Sequence, residues 1–197
     1  MVRKGLTNEK IVAAALEIVE TKGYANFSLH TLAESLNIKT ASLYNHITSM
    51  DELFVDMEIM TIQIMKNELD KAINGYERDE ALLRLADAMR AFMQKHHELC
   101  SLMMDVSACK NERLMKKFPV MEDPFSLVLD AYGLTREQKI HWERILQSTL
   151  YGFMSFEQKG LFEFSASLSE TYRQALQSII ASLESLERVN KLNKMKL

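Results

Sequence analysis

The chain has 197 residues, of which 47% are hydrophobic and 26% charged, and its formal net charge is −3. This composition is ordinary for a globular protein and excludes an intrinsically disordered chain. The net charge argues against a protein coated in basic residues that binds nucleic acid without regard to sequence. Because only two prolines and six glycines are present to break helices or form turns, we predict an all-α fold.

Hydropathy and cysteine content indicate the cellular compartment of the protein. No apolar run approaches the roughly 18 residues that span a bilayer, and Met1–Leu6 lacks the apolar stretch of a secretory signal. We therefore expect a cytoplasmic protein that makes no membrane contact. Cys100 and Cys109 match no zinc-ligand spacing, so we expect two buried, reduced thiols and neither a metal nor a cofactor.

The first 47 residues are predicted to form three short helices that share one core. Thr7 caps the first helix, whose apolar residues recur at helical spacing until Gly23. Ser28 begins a short second helix, and Asn37 interrupts its pattern. The third helix, Thr40 to His46, is only about two turns long.

Longer amphipathic helices follow. A capping box at Ser49 begins a long helix that runs towards Gly75, and another amphipathic helix is predicted over residues 79–97. Capping boxes at Thr135 and Ser167 begin two further long helices, which a short aromatic loop joins into a helical hairpin. We predict about nine helices in total, a three-helix head followed by a C-terminal helical bundle.

The second and third helices have the spacing of a helix-turn-helix, here over residues 28–47, whose second helix enters the major groove of DNA. Such a helix needs small or polar residues outside and hydrogen-bonding groups near its N-terminus, and residues 39–42 with Asn45 supply them. Residues 1–50 contain five lysine and arginine residues and four aspartate and glutamate residues, whereas the remainder of the chain contains 19 and 23. That asymmetry is expected if only the head approaches phosphate. By pattern alone, a helical adaptor protein remains an alternative.

A set of residues between Ile11 and Leu53 is more specific than the helical pattern. It comprises Ala14-Ala15, Gly23-Tyr24, Phe27-Ser28, Leu32-Ala33, Ile38, Ser42-Leu43-Tyr44-Asn45-His46 and Glu52-Leu53. This set resembles the DNA-binding head of TetR-family regulators, in which the Leu-Tyr-x-His run is the most recognisable feature. The resemblance implies a homodimer, built through the last two helices, whose heads enter successive major grooves of a palindromic operator. It also implies a repressor that a small-molecule effector releases from DNA.

The resemblance divides the chain into a DNA-binding domain at 5–65 and a ligand-binding and dimerisation domain at 66–197. Its base-contacting positions fall within residues 39–45, and its phosphate contacts fall on Tyr44 and His46. Ser28 is expected to hold a phosphate at the start of the second helix. The complete set of predicted DNA contacts is Arg3, Lys4, Ser28, Lys39, Thr40, Ala41, Ser42, Tyr44, Asn45, His46 and Ser49.

Two positions depart from the family pattern. Met50 stands where a phosphate-binding lysine is usual, and Ile47 stands where an aromatic residue is usual. The missing lysine removes one charge contact per head, so we expect modest affinity and a shallower dependence on salt. Ser28, Tyr44, His46 and the N-terminal arm must then supply more of the grip on the DNA backbone.

The body carries weaker similarities. Trp142, Tyr151-Gly152 and residues 157–162 are similar to helix eight of a TetR subgroup with a Trp and a His-Gly pair, with Tyr replacing that His, and residues 97–104 are similar to its helix six. The effector is expected to be small and apolar or amphipathic. Methionine lines promiscuous pockets but also fills cores. The pocket candidates are Met60, Met89, Met93, Met103, Met104 and Trp142.

The last helix has an apolar side wider than one packing partner requires, which favours a dimer. The predicted dimer interface comprises Ile145, Thr149, Phe153, Phe156, Tyr172, Leu176, Ile179, Ile180 and Leu183.

Catalysis and metal binding are the competing functions. The sequence has no phosphate-cradling glycine loop, no Gly-x-Ser-x-Gly elbow and no two-histidine zinc helix, so we expect no enzyme. His96 and His97 are adjacent and cannot share one helix face, which argues against a metal site with His141. Taken singly, Tyr44 could be a core aromatic, His46 a surface residue and Ser28 a plain cap; their joint spacing favours DNA binding.

Overall fold

The computed structural model describes residues 5–103 and 123–195. Over those ranges it contains nine α-helices, one 3₁₀ turn at Tyr24–Asn26 and no β-strand, which confirms the all-helical prediction. The helices are α1 (Asn8–Lys22), α2 (Leu29–Ser35), α3 (Thr40–Leu43), α4 (Met50–Ile73), α5 (Arg78–Lys95), α6 (His97–Met103), α7 (Pro124–Asp130), α8 (Arg136–Gln158) and α9 (Leu168–Lys194). None of these helices is long and apolar enough to cross a membrane.

The chain folds as two compact units. Within the described residues, the head unit comprises residues 5–65 and 95–103, and the body unit comprises residues 66–94 and 123–195. The first break between the units falls after residue 65. The sequence-based division assigned residues 95–103 to the body, whereas α6 packs against α1 and the 3₁₀ turn of the head unit. The head is therefore assembled from two separate stretches of the chain.

The head core is apolar and receives side chains from five helices. Leu43 is fully buried and Ile47 is 6% exposed, so Ile47 occupies a core position although it departs from the family pattern. Tyr24 and Phe27 each pack against Phe54 with ring centroids 5.7 Å apart. The buried members are Ile11, Val12, Ala15, Leu16, Ile18, Val19, Leu32, Ala33, Leu43, Ile47, Leu53, Met57 and Leu99.

The body core is formed by the apolar faces of α5, α7, α8 and α9. The predicted capping box at Thr135 is present: its hydroxyl oxygen accepts from the Gln138 N–H, and the Gln138 side chain accepts from the Thr135 N–H. At the start of α9, the Ser167 hydroxyl accepts from the Glu170 N–H. These caps satisfy first-turn N–H groups and determine where the two long helices begin.

Two arginine–glutamate pairs link helices within the body unit. Arg90 Nε donates to Glu157 Oε2 over 3.0 Å, a second guanidinium nitrogen contacts Glu157 Oε1, and both side chains are 17% exposed. The Arg90 guanidinium also lies 4.9 Å from the Tyr172 ring centroid. Arg78 donates to Glu187 over 3.0 Å, and hydrogen bonds from Arg78 and Lys191 lower the pKa of the Glu187 carboxyl to about 2.

The predicted dimer surface is corrected on α9. Tyr172, Leu176, Ile179 and Leu183 are at most 7% exposed and belong to the core of the body unit, so they cannot form a surface between copies. The Tyr172 hydroxyl donates to the Ala86 carbonyl over 2.7 Å, so this buried hydroxyl has a hydrogen-bond partner within the body unit. Of the other predicted interface residues, Ile145 and Phe156 are exposed, and Thr149, Phe153 and Ile180 are half-buried.

Candidate nucleic-acid interface

Helix α2 begins at a reciprocal cap. The Thr31 N–H donates to the Ser28 hydroxyl over 3.1 Å, and the Ser28 N–H donates to the Thr31 hydroxyl over 3.1 Å. The Thr31 hydroxyl itself donates to the Ser28 carbonyl over 2.8 Å. Ser28 is therefore fixed as the N-cap of α2, and its half-buried hydroxyl lies at the start of the helix-turn-helix.

The turn between α2 and α3 has a defined geometry. Asn37 has φ 53°, in the left-handed region that asparagine tolerates better than most residues. The Ile38 N–H donates to the Ala33 carbonyl and the Asn37 N–H to the Glu34 carbonyl, each over 3.0 Å. This pair of bonds is a Schellman motif, which ends α2 and fixes the direction in which the chain enters α3.

Helix α3 is shorter than predicted, because the α-helical segment ends at Leu43 rather than at His46. After Leu43 the hydrogen bonds tighten, with the His46 N–H donating to the Leu43 carbonyl over 2.8 Å. The Ile47 N–H donates to the same carbonyl over 3.0 Å. The backbone therefore keeps coiling up to Ile47, although it leaves α-helical geometry.

Burial divides the segment into an anchoring side and an outer side. Leu43 and Ile47 lie in the head core, whereas Tyr44 is 56% exposed. The two half-buried members of the outer side are Thr40 and Ser42. We call this outer side the polar face; its members are Lys39, Thr40, Ala41, Ser42, Tyr44, Asn45 and His46. It presents amide, hydroxyl, ammonium and imidazole groups on a rigid support, which is the arrangement that reads base edges in the major groove.

The start of α4 carries a cap and no basic residue. The Ser49 hydroxyl accepts from the Glu52 N–H over 3.1 Å, so Ser49 caps α4 and its contact with DNA stays a prediction. Met50, the first residue of α4, is half-buried. The predicted contacts Arg3 and Lys4 lie outside the described residues.

Two family models match this chain. Residues 11–57 match the model described as bacterial regulatory proteins, tetR family, and residues 82–179 match the model described as tetracyclin repressor-like, C-terminal domain. The first match covers α2, α3 and the turn that joins them. The chain belongs to the TetR family of DNA-binding transcriptional regulators.

Similar proteins agree with the TetR assignment. The chain is 28% identical over 159 residues to the HTH-type transcriptional regulator Rv0681 of Mycobacterium tuberculosis, covering 80% of this chain and 73% of that protein. The structure of BioQ with its double-stranded DNA operator superposes with a TM-score of 0.64 at 18% identity, covering 91% of this chain and 99% of BioQ. ActR of Streptomyces coelicolor in complex with (S)-DNPA gives a TM-score of 0.65 at 19% identity, covering 91% and 98%. The two structural likenesses show the fold, and the matching families and relatives are regulators rather than enzymes, as expected.

The predicted ligand-pocket residues of this TetR-family chain fall in different places. Met60 packs against the head core, whereas Met89 and Met93 are at most 2% exposed in the body core. Met104 and the side chain of Met103 lie outside the described residues. Trp142 is half-buried and lines an open groove of about 500 Å³ between α8 and α9, and its role in effector binding stays a prediction. The other residues lining this groove are Ala181, Ser182, Ser185, Leu186 and Val189.

Sequence reasoning missed the contribution of α6 to the head. Leu99 is 2% exposed and belongs to the head core. Glu98 accepts from the Tyr24 N–H over 2.9 Å, and His96 contacts Glu20 of α1. These residues follow α3 by about fifty positions, and no periodicity in the sequence connects them to the helix-turn-helix.

Proposed function

We propose that this TetR-family regulator is a homodimeric repressor that reads a palindromic operator with its polar face and leaves DNA when an effector binds the body unit. One observation carries the DNA-reading part of the proposal. Leu43 and Ile47 anchor the segment in the head core while the polar groups between them stay exposed. A repressor of this kind works on double-stranded operator DNA, and therefore in the cytoplasm of a bacterium.

Individual members of the polar face have different roles in this proposal. The Asn45 amide can form a bidentate pair with adenine, and the Ser42 and Thr40 hydroxyls can donate to or accept from base edges. Tyr44 and His46 are assigned to phosphates, which position the head without carrying sequence information. Ala41 is small and exposed, so it allows the polar face to approach the groove floor.

The dimer proposal rests on the outer side of the hairpin formed by α8 and α9. Ile145 is 43% exposed and Phe156 is 51% exposed on α8, and Val189 and Leu192 are exposed on α9. Large apolar side chains spread along one helix pair are typical of a surface that a second copy covers. A two-fold dimer uses the same surface on both subunits, and it pairs two heads with the half-sites of a palindrome.

The effector proposal rests on the family. A TetR-like neighbour, ActR, has been crystallised with (S)-DNPA, a small molecule. We propose a small apolar or amphipathic effector for this chain, bound in the body unit. Titration of candidate effectors into the protein–DNA complex is expected to release the DNA at saturation, whereas a compound that binds without changing DNA affinity is not the effector.

Alanine substitutions test the polar face. Binding of labelled duplex, taken from a selection of random DNA, is measured by fluorescence anisotropy for Ser42→Ala and Asn45→Ala. Each lost base contact should weaken binding by about 1–3 kcal/mol. Asn74→Ala, at an exposed position after α4, is the control and should bind like the wild type. Wild-type affinity in both test variants would exclude the polar face as the DNA reader.

Sedimentation tests the dimer. The free protein should sediment as a dimer at micromolar concentration, and Ile145→Glu should shift it towards monomer because a charge in an apolar interface is left unpaired. Gln94→Glu, at an exposed position on α5, is the control. A wild-type monomer at that concentration would contradict the proposal.

A further inference from the structure

We propose that Glu98, which lies outside the sequence-defined DNA-binding domain, is a positioning residue for DNA recognition. It holds the bend between α1 and the helix-turn-helix in place, and its loss should weaken DNA binding although it removes a negative charge. This inference rests on the proposed reading of DNA by the polar face. The experiment below distinguishes its failure from failure of that function.

The Glu98 carboxylate lies at the bend where α1 ends. Gly23 follows the last residue of α1 with φ +83°, a conformation that L side chains rarely adopt. A Cβ atom built on Gly23 would lie 3.5 Å from Glu98 Oε2, so the carboxylate is in contact with the outside of the bend. The same oxygen accepts from the Tyr24 N–H over 2.9 Å. A charged acceptor makes this hydrogen bond stronger than one between neutral groups.

The neighbours of Glu98 secure the carboxylate in that position. Leu99 is buried in the head core, and His96 contacts Glu20 on the last turns of α1. The second carboxylate oxygen, Oε1, lies 3.4 Å from His97 Nε2. Residues 96–99 therefore hold the end of α1 and the turn after it through the His96–Glu20 contact, the hydrogen bond to Tyr24 and the burial of Leu99 in the head core.

The bend is connected to the polar face through a short series of rigid elements. The Tyr24–Asn26 turn leads through Phe27 to Ser28, whose cap fixes the start of α2. The Schellman motif at Asn37 then fixes the direction of α3. Because hydrogen bonds to bases weaken steeply when distance or angle departs from ideal, a shift at the Tyr24 bend reaches Ser42 and Asn45 as lost base contacts.

A purely electrostatic role and a positioning role predict opposite effects of removing Glu98 on DNA affinity. A carboxylate in the head repels phosphate, so a role limited to its charge predicts that Glu98→Ala tightens DNA binding. A positioning role predicts weaker binding, because the Tyr24 N–H loses this acceptor. Glu98→Gln removes the charge and keeps an oxygen that can accept, so it separates the two effects.

The experiment measures DNA affinity by fluorescence anisotropy at several salt concentrations. We expect Glu98→Ala to weaken binding by about tenfold, which corresponds to the loss of about one base contact at the displaced polar face. Glu98→Gln should bind at least as tightly as the wild type. The slope of log Kd against log salt should be unchanged in Glu98→Ala, because no phosphate contact is removed. Ser101→Ala, at an exposed position on the same helix, is the matched control.

Amide hydrogen exchange at Tyr24 provides a readout that does not require DNA. Exchange should accelerate in Glu98→Ala and stay slow in Glu98→Gln and Ser101→Ala. If Glu98→Ala fails to fold, Glu98→Asp takes its place: the side chain keeps the charge but is one methylene shorter, so the hydrogen bond to the Tyr24 N–H should lengthen and DNA binding should weaken.

Equal or tighter binding by Glu98→Ala together with unchanged Tyr24 exchange would overturn the positioning role. If the wild-type protein bound no duplex DNA, the proposed function would fail instead, and the exchange data would still decide whether Glu98 holds the bend.

Discussion

The head and body units have outer surfaces of opposite character, although each is built around an apolar core. In the head, the segment after the turn exposes Asn45, His46 and half-exposed Tyr44. In the body, α8 exposes Ile145 and Phe156. Polar groups on a rigid support suit a hydrated, charged groove, and apolar side chains suit a second copy of the chain. Under the proposed function, DNA reading and self-association therefore lie in different units of the chain.

The largest expected effect tests how the polar face is supported. Leu43→Ala removes a fully buried side chain at the end of α3 and should lower the free energy of unfolding of the head by about 2–5 kcal/mol. DNA binding should be lost with it, since Leu43 anchors the polar face. Urea unfolding and anisotropy measure the two effects. Leu161→Ala, at a 53% exposed position of the body, is the control, and an equal loss there would contradict this account.

The second prediction concerns the body alone. Arg90→Met leaves the Glu157 carboxylate without its guanidinium in a largely buried position and should destabilise the body by about 2 kcal/mol, below the usual range for fully buried pairs. The double variant Arg90→Met with Glu157→Leu removes both charges and should recover much of that stability. Thermal unfolding of both variants measures the difference, and a double variant less stable than Arg90→Met would contradict the assignment of the loss to an unpaired charge.

The third prediction uses Met50, one of the two positions at which the chain departs from the family pattern. Met50→Lys places a cation at the start of α4 beside the predicted phosphate contacts, and it should tighten DNA binding and steepen the salt slope by about 1. Asn74→Lys adds the same charge in the body unit and serves as the control. An identical gain in both variants would mean that overall charge, rather than a phosphate contact at residue 50, causes the effect.

The smallest expected effect is a pH dependence within the body. Burial, together with a hydrogen bond to Asp123, raises the pKa of the Glu143 carboxyl to about 7 from a usual 4.5. The folded state thus keeps a proton that the unfolded chain releases, so stability falls as pH rises from 4.5 to 7. Glu143→Gln cannot ionise and should remove that fall. Glu137→Gln, at an exposed position on α8, is the control, and a pH profile unchanged by Glu143→Gln would contradict the assignment.

The two units also differed in how much of them the sequence predicted. The helix-turn-helix was predictable from the helical spacing of residues 28–47 together with the resemblance of residues 11–53 to TetR-family heads, and caps such as Ser28 and Thr135 mark helix starts with local hydrogen bonds. The division of α9 between core and surface was not predictable from the sequence. A helix with a broad apolar side does not reveal which of its apolar residues pack inside the subunit and which stay on the surface. Tyr172 and Leu183 therefore seemed to be interface residues and are core.

Contacts distant in sequence were also missed. Glu98 and Leu99 belong to the head because α6 packs on α1. A single hydrogen bond from a backbone N–H to a carboxylate produces no periodic pattern in the sequence, so this contact could not be predicted. The length of α3 was overestimated for a similar reason. The pattern of residues 40–47 is helical, and only the hydrogen bonds show that the coil tightens after Leu43.

Selection of bound sequences from random duplex DNA tests the central claim most directly, that the polar face of this TetR-family chain reads an operator. The wild-type protein should enrich an inverted repeat whose half-site centres lie about one helical turn of DNA, or a multiple of it, apart. The variant with Ser42→Ala and Asn45→Ala should enrich no such repeat. Recovery of unrelated sequences by the wild type, or of the same repeat by the variant, would contradict the account.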